Sequence, residues 1–439
     1  MKYIYIILGF FLIMCINFNC VGLKSFNSSN ESDTFLDIEF FPFDNNVYSS
    51  SIKTIICRKV SDKLEMPIIN LNSAEKVYLT FDDLSEKHQN YTYKLIHCNY
   101  NWSKSDLTES EYLQGFFENF IRDYSYSFNT AVRYINYSVV IPNEDVSIKK
   151  SGNYYLVVFD EQKKPVLSRK MMVCDPKVYI YPEIKRATLT HQKSHKQEID
   201  FFINHSGYSI THPFSDLHVT ILQNERWDNA LTDLKPLFIK NEQLEYNYED
   251  KNTFFGGNEF RYFDTKSIKF YSMNVKNIEF DSVYNVYLKP TIKRSFQNYS
   301  TSYDINGKRL IRRLESDDIG NHNSDADYCF VHFDLKYEKQ LLNGDIYIFG
   351  ELTNWDILPE AKLKYDISTM SYKTSLLLKQ GYYNYCYVFV DDDNPFIDET
   401  FIEGSHYETE NEYIILAYYR EIGSRYDKLV AMNTINFSY

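Results

Sequence analysis

Glycine is scarce in this sequence, and the 47 basic residues are outnumbered by 60 acidic ones. Only 14 of the 439 residues are glycine, and the formal net charge is −13. Nucleic acid requires basic patches, and no stripe of Lys or Arg interleaved with aromatic residues occurs, so a nucleic-acid partner is excluded. The pair Gly256-Gly257 is not followed by Lys-Ser/Thr and lies in no βα unit. It therefore predicts a tight turn and not a phosphate-binding loop.

Cysteine is also infrequent, and its spacing is wide. Two cysteines, Cys15 and Cys20, lie in the N-terminal segment. The other five are spread along the chain: Cys57, Cys98, Cys174, Cys329 and Cys386. An odd number at such spacing excludes the disulfide framework of a small secreted domain. One bridge is possible, but buried free thiols are the favoured prediction.

Long hydrophobic runs are absent after the first residues of the chain. Lys2 precedes an apolar run from Tyr3 to Phe18, and small residues follow at Val21 and Gly22. This is the order of a secretory signal. Polar Asn17 ends the uninterrupted run after roughly 15 residues, short of the ~20 that a spanning helix needs. We therefore predict a signal peptide at residues 1–22 and an exported mature chain.

The cysteine at position 20 leaves a second possibility for this segment, a lipid-anchored protein. Met14 and Asn19 are poor residues immediately before a lipid-modified cysteine. Ordinary cleavage near Gly22 to Ser25 is therefore preferred over lipidation of Cys20.

Signatures of catalysis and metal binding are missing as well. His191 and His195 have the spacing of a zinc pair, but no glutamate follows the first histidine, so a solvated loop is predicted. The acidic clusters Asp82-Asp83 and Asp391 to Asp393 are interpreted as turn acids, with calcium as the alternative. No G-x-S-x-G nucleophile motif is present. The sequence therefore predicts no catalytic, cofactor or metal site.

Aromatic residues are abundant, with 40 Tyr and 32 Phe. These residues suit pleated, half-buried surfaces, and short alternating runs such as Val77 to Phe81, Tyr154 to Phe159 and Asp345 to Phe349 predict strands. The predicted fold class is all-β, with tandem immunoglobulin-like β-sandwich modules. The predicted divisions are an N-terminal sandwich, a middle sandwich, a linker or long loop and a C-terminal sandwich, at residues 36–176, 177–300, 301–325 and 326–426. A short helix is predicted near Glu109 to Phe120.

Several long motifs resemble one protein family. The segment Tyr78 to Asn143 contains "FDDL", "HCNYNW", "SEYLQGF" and "DYSYSFNT", and further matches lie at Ser151 to Val173 and Ile402 to Arg420. This order is similar to the type IX secretion system plug proteins of Bacteroidota, over about Leu36 to Tyr426. One departure is visible, because Asn136 replaces the histidine that the family pattern has before tyrosine and "PN".

The resemblance implies a function without catalysis. Plug proteins of this family are expected in the periplasm, where they close the inner mouth of a very large outer-membrane translocon barrel. The implied partner is that barrel, and membrane association is expected only through it. A cofactor or small-molecule ligand is not expected.

The predicted third sandwich also resembles glycogen- and starch-binding modules of the early-set type. Trp355, in "FGELTNWD", matches the first sugar-stacking tryptophan, for which an exposed flat ring is needed. Cys386 stands where the sugar-binding lysine is expected, and Phe396 is the aromatic residue near the position of the second tryptophan. The fold is therefore expected to be retained and the ligand lost, leaving Trp355 and Phe396 as vestigial carbohydrate-site candidates. The alternative function is a periplasmic or surface polysaccharide-binding protein that uses this module.

Overall fold

Strands make up nearly all of the regular structure in a computed structural model of the protein, which describes residues 44–315, 322–394 and 396–437. The three α-helices are single turns, α1 (Glu109–Tyr112), α2 (His322–Asp325) and α3 (Thr400–Glu403). The all-β prediction is confirmed. The predicted signal peptide and Cys20 lie outside the described residues. Within the described part of the chain, no helix is both long enough and apolar enough to cross a bilayer.

The first sandwich is formed by twelve strands. They are β1 (Asn46–Val47), β2 (Ile52–Lys59), β3 (Ile68–Asn70), β4 (Val77–Asp83), β5 (Thr92–Cys98), β6 (Leu113–Gly115), β7 (Glu118–Phe120), β8 (Asp123–Tyr126), β9 (Ile135–Ile141), β10 (Val146–Ile148), β11 (Gly152–Phe159) and β12 (Pro165–Cys174). One sheet has the order β1-β12-β11-β5-β7, and the facing sheet has the order β2-β4-β9-β8. Apolar residues such as Leu79, Phe81 and Leu156 fill the space between the sheets.

Seven consecutive strands begin the second sandwich. They are β13 (Tyr179–Arg186), β14 (Lys196–Asn204), β15 (Leu217–Gln223), β16 (Leu231–Leu234), β17 (Phe238–Lys240), β18 (Gln243–Tyr246) and β19 (Thr253–Phe255). The strands β13-β14-β18-β17 make one sheet, and β15 and β16 lie in the other. His191 and His195 lie in the turn between β13 and β14, as predicted.

The third sandwich follows Gly256 and Gly257, which lie in irregular structure and not in the predicted tight turn. Its strands are β20 (Arg261–Asp264), β21 (Val275–Phe280), β22 (Tyr284–Leu288), β23 (Thr291–Ile292), β24 (Arg309–Ile311), β25 (Tyr328–Lys336), β26 (Gly344–Phe349), β27 (Lys364–Asp366), β28 (Ser371–Lys379), β29 (Gly381–Asp391) and β30 (Ile397–Asp398). One sheet has the order β21-β22-β25-β28-β27, and the other is built around the long strand β29. Two short 3-10 turns, Glu351–Thr353 and Pro359–Ala361, follow β26.

The last two strands return to the second sandwich. These are β31 (Asn411–Tyr419) and β32 (Lys428–Phe437), which complete the sheet β16-β15-β31-β32. The pairing is antiparallel and runs from Leu217 opposite Tyr419 to Gln223 opposite Tyr413. Tyr413, Ile415 and Ala417 of β31 then pack into the same apolar core as Val219 and Ile221.

The predicted domain boundaries at 177–300 and 326–426 therefore need correction. Strands β20 to β23, at 261–292, fall in the predicted middle domain but pair with strands of the third sandwich. Strand β31 falls in the predicted C-terminal domain but belongs to the second sandwich. Alternating apolar residues indicate where strands are, but they do not indicate which strands pair. The third sandwich is thus an insertion within the second.

The predicted linker or long loop at 301–325 is irregular over most of its described residues, but it also contains strand β24 and helix α2. Strand β24 pairs with β29, and Lys308 and Arg309 are buried. Lys308 and Arg309 enter ion pairs, and Ile311 packs into the apolar core of the third sandwich. The helix predicted near Glu109 to Phe120 shortens to α1, and β6 and β7 occupy the rest.

Cys57, Cys98, Cys174, Cys329 and Cys386 are all buried and free. The prediction of buried thiols is confirmed for these five residues. Burial raises the pKa of the Cys98 thiol to about 12, so it remains protonated at neutral pH.

Candidate functional site

The three sandwiches meet around one buried arginine, Arg58, on β2 of the first sandwich. Its guanidinium lies 2.5 Å from the carboxylate of Glu225 in the second sandwich and 2.8 Å from that of Glu351 in the third. Burial alone lowers the pKa of Arg58, but the carboxylates of Glu351 and Glu225 outweigh it and hold the pKa above its usual value. We call this place, defined by Arg58, Glu225 and Glu351, the junction.

Two further cations reach the junction from the segment predicted as a linker. Lys308 Nζ lies 3.0 Å from Glu225 and 3.3 Å from Glu412, both in the second sandwich. Arg309 donates from Nη2 to the carbonyl of Ile55 on β2, at 2.7 Å. Positive and negative side chains from all three sandwiches therefore lie next to one another at the junction. Buried charges are stable only when they are paired in this way.

A second buried ion pair joins the first and third sandwiches. Asp82 at the end of β4 and Lys379 at the end of β28 lie 2.7 Å apart, and their side chains are 0% and 1% exposed. The hydroxyl of Tyr328 also donates to Asp82, at 2.6 Å. Burial lowers the pKa of Lys379 more than its partner raises it. The interpretation of Asp82-Asp83 as turn acids is thus wrong for Asp82, whereas Asp83 accepts from the N–H and the hydroxyl of Ser85 in the turn after β4.

The first and second sandwiches are joined through β31 and β32. The hydroxyl of Tyr418 donates to Asn153 Oδ1 at 2.9 Å, and the backbone N–H of Tyr100 donates to Asp427 at 3.1 Å. His97 lies beside this contact, with its ring 5.3 Å from that of Tyr426. Burial lowers the pKa of His97 to about 4, so the ring is neutral at physiological pH. Every pair of sandwiches is therefore linked by polar or ionic contacts.

The three tryptophans of the chain, one from each sandwich, lie near the junction. Trp102 and Trp227 meet edge to face with ring centroids 5.1 Å apart. Lys170 Nζ lies 5.0 Å from both ring centroids. Trp227 and Trp355 line a small cavity of about 80 Å³ together with Arg58. The tryptophans thus contribute to the contacts between sandwiches.

Trp355 is placed very differently from a sugar-stacking tryptophan. The guanidinium carbon of Arg226, from the second sandwich, lies 4.5 Å from the centroid of its ring. Arg226 is held there by ion pairs to Asp228 and Glu399. Gly307 lies at the edge of the ring, so close that a Cβ at this position would come within 2.2 Å of it. Arg226 therefore covers a face of the half-buried ring that was expected to receive a sugar.

The other vestigial candidate, Phe396, lies at a different cavity. Phe396 is exposed and lines a cleft of about 580 Å³ between the second and third sandwiches. Cys386, at the expected lysine position, lines the same cleft and is buried. Trp355 lines the smaller cavity instead, so the two sequence-predicted residues do not face a common space.

The first sandwich has an exposed aromatic surface. It is far in sequence from Trp227 and Trp355, the tryptophans of the second and third sandwiches. Six side chains between positions 116 and 128 are 36 to 70% exposed: Phe116, Phe117, Phe120, Tyr124, Tyr126 and Phe128. We call these six residues the aromatic edge, because β7 and β8 are the last strands of their sheets. Concentrated apolar surface of this kind marks interaction sites on soluble proteins.

Sequence reasoning missed the junction and the aromatic edge. A signal for the junction and for the pair Asp82–Lys379 was available, because Arg58 and Asp82 interrupt apolar strands in "TIICRKV" and "VYLTFDD". Charges within such strands are retained only with partners. The signal for the second was the density of aromatic residues in "GFFENFIRDYSYSF". Exposure could not be predicted there, since the same residues suit a core equally well.

Comparisons with known proteins agree with this architecture. A family model described as the type 9 secretion system plug protein first domain matches residues 52–175, which span β2 to β12 of the first sandwich. No curated protein matches the chain in sequence. A crystal structure of a hypothetical protein from Parabacteroides merdae ATCC 43184 is similar, with 35% sequence identity and a TM-score of 0.85. The match covers 90% of this chain and 99% of that one. The chain therefore belongs to the type IX secretion system plug protein family.

Proposed function

We propose that the protein is a non-enzymatic plug that binds and closes the periplasmic mouth of the type IX secretion outer-membrane barrel, and so gates protein export. The observation that carries this proposal is the family membership, which rests on the match of residues 52–175 in the first sandwich. In this proposal the protein is exported by its N-terminal signal at residues 1–22 and associates with the membrane only through the barrel.

The contacts between sandwiches support a role as a stopper. A wide water-filled pore has to be blocked by a body that does not flex open. The junction and the pair Asp82–Lys379 connect three sandwiches through buried charges. Breaking such pairs leaves an uncompensated buried charge, which opposes any separation of the sandwiches.

A conductance measurement tests the proposal directly. The purified barrel is placed in a planar bilayer, and the full mature chain is added to its periplasmic side. We expect the conductance to fall, and an unrelated acidic β-sandwich protein to leave it unchanged. An unchanged conductance, with no co-purification of the barrel from outer membranes, contradicts the proposal. Hydrolysis of a glycan by the pure protein would contradict its non-enzymatic part.

The polysaccharide-binding alternative has one observation in its favour. The cleft of about 580 Å³ has a volume within the range of ligand sites, and exposed Phe396 and Phe255 lie in its lining. Retention on an α-glucan column that is lost in Phe396→Ala would support this alternative. If retention on the column is lost in Trp355→Ala instead, the sugar binds at the ring of Trp355, which Arg226 covers.

A further inference from the structure

We propose that the aromatic edge is the surface that binds the partner barrel, and that it does so by accepting an extended segment of that protein alongside β8. The inference rests on the proposed function and names the contact face. The exposed rings of the aromatic edge and the outer edge of strand β8 lie together on the first sandwich.

Both free edges lie on the same side of the first sandwich. Strand β7 ends one sheet and β8 ends the facing sheet. Only Ile121 and Arg122 separate them in the chain, and Ile121 is buried, with its N–H bonded to the carbonyl of Tyr91. The chain therefore crosses from one sheet to the other along this side and leaves two edges next to each other.

Within the described residues, the outward backbone groups of β8 pair with no other strand. The N–H of Ser127 donates to the carbonyl of Tyr134 on the inner side, towards β9. Inward and outward groups alternate along an antiparallel strand, so Ser125 also faces β9, while the N–H groups of Tyr124 and Tyr126 face outward. Phe128, next in the outward series, already donates its N–H to the carbonyl of Ser324 in the third sandwich. The edge thus accepts another chain segment at one end, and no described residue pairs with it along the rest.

The side chains beside these groups are arranged for contact. The rings of Tyr124 and Tyr126 lie 6.0 Å apart, and that of Tyr124 is supported by His88 at 4.4 Å. Natural edge strands are protected by charged residues, Pro or bulges, and β8, with the sequence Asp-Tyr-Ser-Tyr, has one such residue, Asp123 at its first position. Rigid aromatic side chains that cost little entropy to immobilise are enriched in interfaces.

The chemistry of the edge favours a protein over a lipid surface or a second copy. Unpaired backbone N–H and C=O groups cannot be buried in hydrocarbon, so an open sheet edge is unsuited to lipid. Two copies of a chain with net charge −13 repel each other. An extended segment of another protein satisfies the backbone groups and packs its alternate side chains against the rings, as in β-strand addition.

A pair of matched double variants tests the surface. Tyr126 and Phe128 are 59% and 70% exposed, and Tyr271 and Phe270 of the third sandwich are 60% and 69% exposed. We expect Tyr126→Ala/Phe128→Ala to bind the purified, detergent-solubilised barrel at least about tenfold more weakly than the wild-type full chain. The control, Tyr271→Ala/Phe270→Ala, should remain within about twofold, as expected for residues outside the interface.

A proline substitution tests the backbone part of the inference. Tyr126→Ala removes the ring only, while Tyr126→Pro removes the ring and the outward N–H and leaves the bonds to β9 in place. We expect binding to be several-fold weaker for Tyr126→Pro than for Tyr126→Ala. Equal binding by the two variants overturns strand addition.

The remaining outcomes separate this inference from the proposed function. If the wild-type chain fails to bind the barrel, the proposed function fails and the inference fails with it. If the wild type binds and only the control variant weakens, the function stands and the surface is wrong. Binding of the wild type to protein-free phosphatidylethanolamine/phosphatidylglycerol vesicles, or its dimerisation, that is lost in Tyr126→Ala/Phe128→Ala also overturns the inference.

Discussion

The junction and the aromatic edge distribute charge and apolar surface in opposite ways. At the junction, Arg58, Glu225 and Glu351 are withdrawn from water. At the aromatic edge, Phe and Tyr rings are left in water. Buried charges tolerate only a narrow geometry, whereas exposed rings add affinity once a partner covers them. The difference shows that the contacts between sandwiches maintain the shape of the molecule, and that an external contact needs a different surface.

The largest expected effect comes from breaking the buried pair between the first and third sandwiches. Lys379→Met leaves Asp82 without its counter-charge and should lower the free energy of unfolding by about 3–5 kcal/mol. The control is Lys373→Met, whose pair with Asp366 has side chains 38% and 35% exposed. It should cost less than about 1 kcal/mol. Urea unfolding measures both, and equal losses would remove the distinction between buried and exposed charges.

Acid should weaken the contact between the first and second sandwiches. The pKa of His97 is lowered from 6.5 to about 4. Between these values the unfolded chain binds a proton and the folded chain does not, so stability is lost as pH falls below 6.5. The loss from this residue should approach about 3 kcal/mol near pH 4. Urea unfolding at several pH values checks this, and His97→Gln should lack that part of the pH dependence. An identical pH profile for the variant contradicts it.

Removing Arg226, which covers the ring of Trp355, should lower the free energy of unfolding by less than Lys379→Met does. Arg226→Ala deletes the guanidinium over the ring and its ion pairs, at a cost of about 2 kcal/mol. Tryptophan fluorescence should shift to the red because water reaches the indole. The control Arg122→Ala removes an exposed arginine that is paired with Asp145, and should leave the spectrum unchanged. Newly gained α-glucan binding in Arg226→Ala would sharpen the case that the sugar site is covered rather than lost.

The smallest effect on stability is expected at the aromatic edge. Tyr126→Ala and Phe128→Ala remove exposed rings and should each change the free energy of unfolding by no more than about 0.5 kcal/mol. Thermal unfolding of the free protein measures this. A loss comparable to that of Lys379→Met would mean that the edge supports the fold, and the contrast with the junction would fail.

The sequence predicted the strands better than their partners. The predicted strand Val77 to Phe81 lies within β4, and Tyr154 to Phe159 lies within β11. Alternation of apolar residues suffices for such elements. The return of β31 to β15 could not be predicted, because pairing over a long separation depends on complementarity that a single sequence does not display.

The candidate site was harder to predict than the fold. Trp355 and Phe396 were chosen by resemblance to a sugar-binding module, and that resemblance concerns one sandwich in isolation. Arg226, which covers Trp355, comes from another sandwich. Likewise Lys308 lies in a segment whose polar composition predicts exposure, but its partners Glu225 and Glu412 are distant in sequence. Contacts between modules depend on how the modules are arranged in the folded chain. A local sequence pattern does not indicate this arrangement.

The return of β31 and β32 to the second sandwich dictates an order of folding during synthesis. Gln223 and Tyr413, which are partners across this sheet, are separated by 190 residues. The first sandwich can close as soon as residue 174 has emerged, whereas Val219 and Ile221 lack the β31 and β32 part of their core until the inserted third sandwich has been made. The second sandwich is therefore the last to mature, and a chain that stops near residue 410 lacks two of its strands while keeping the whole of the third.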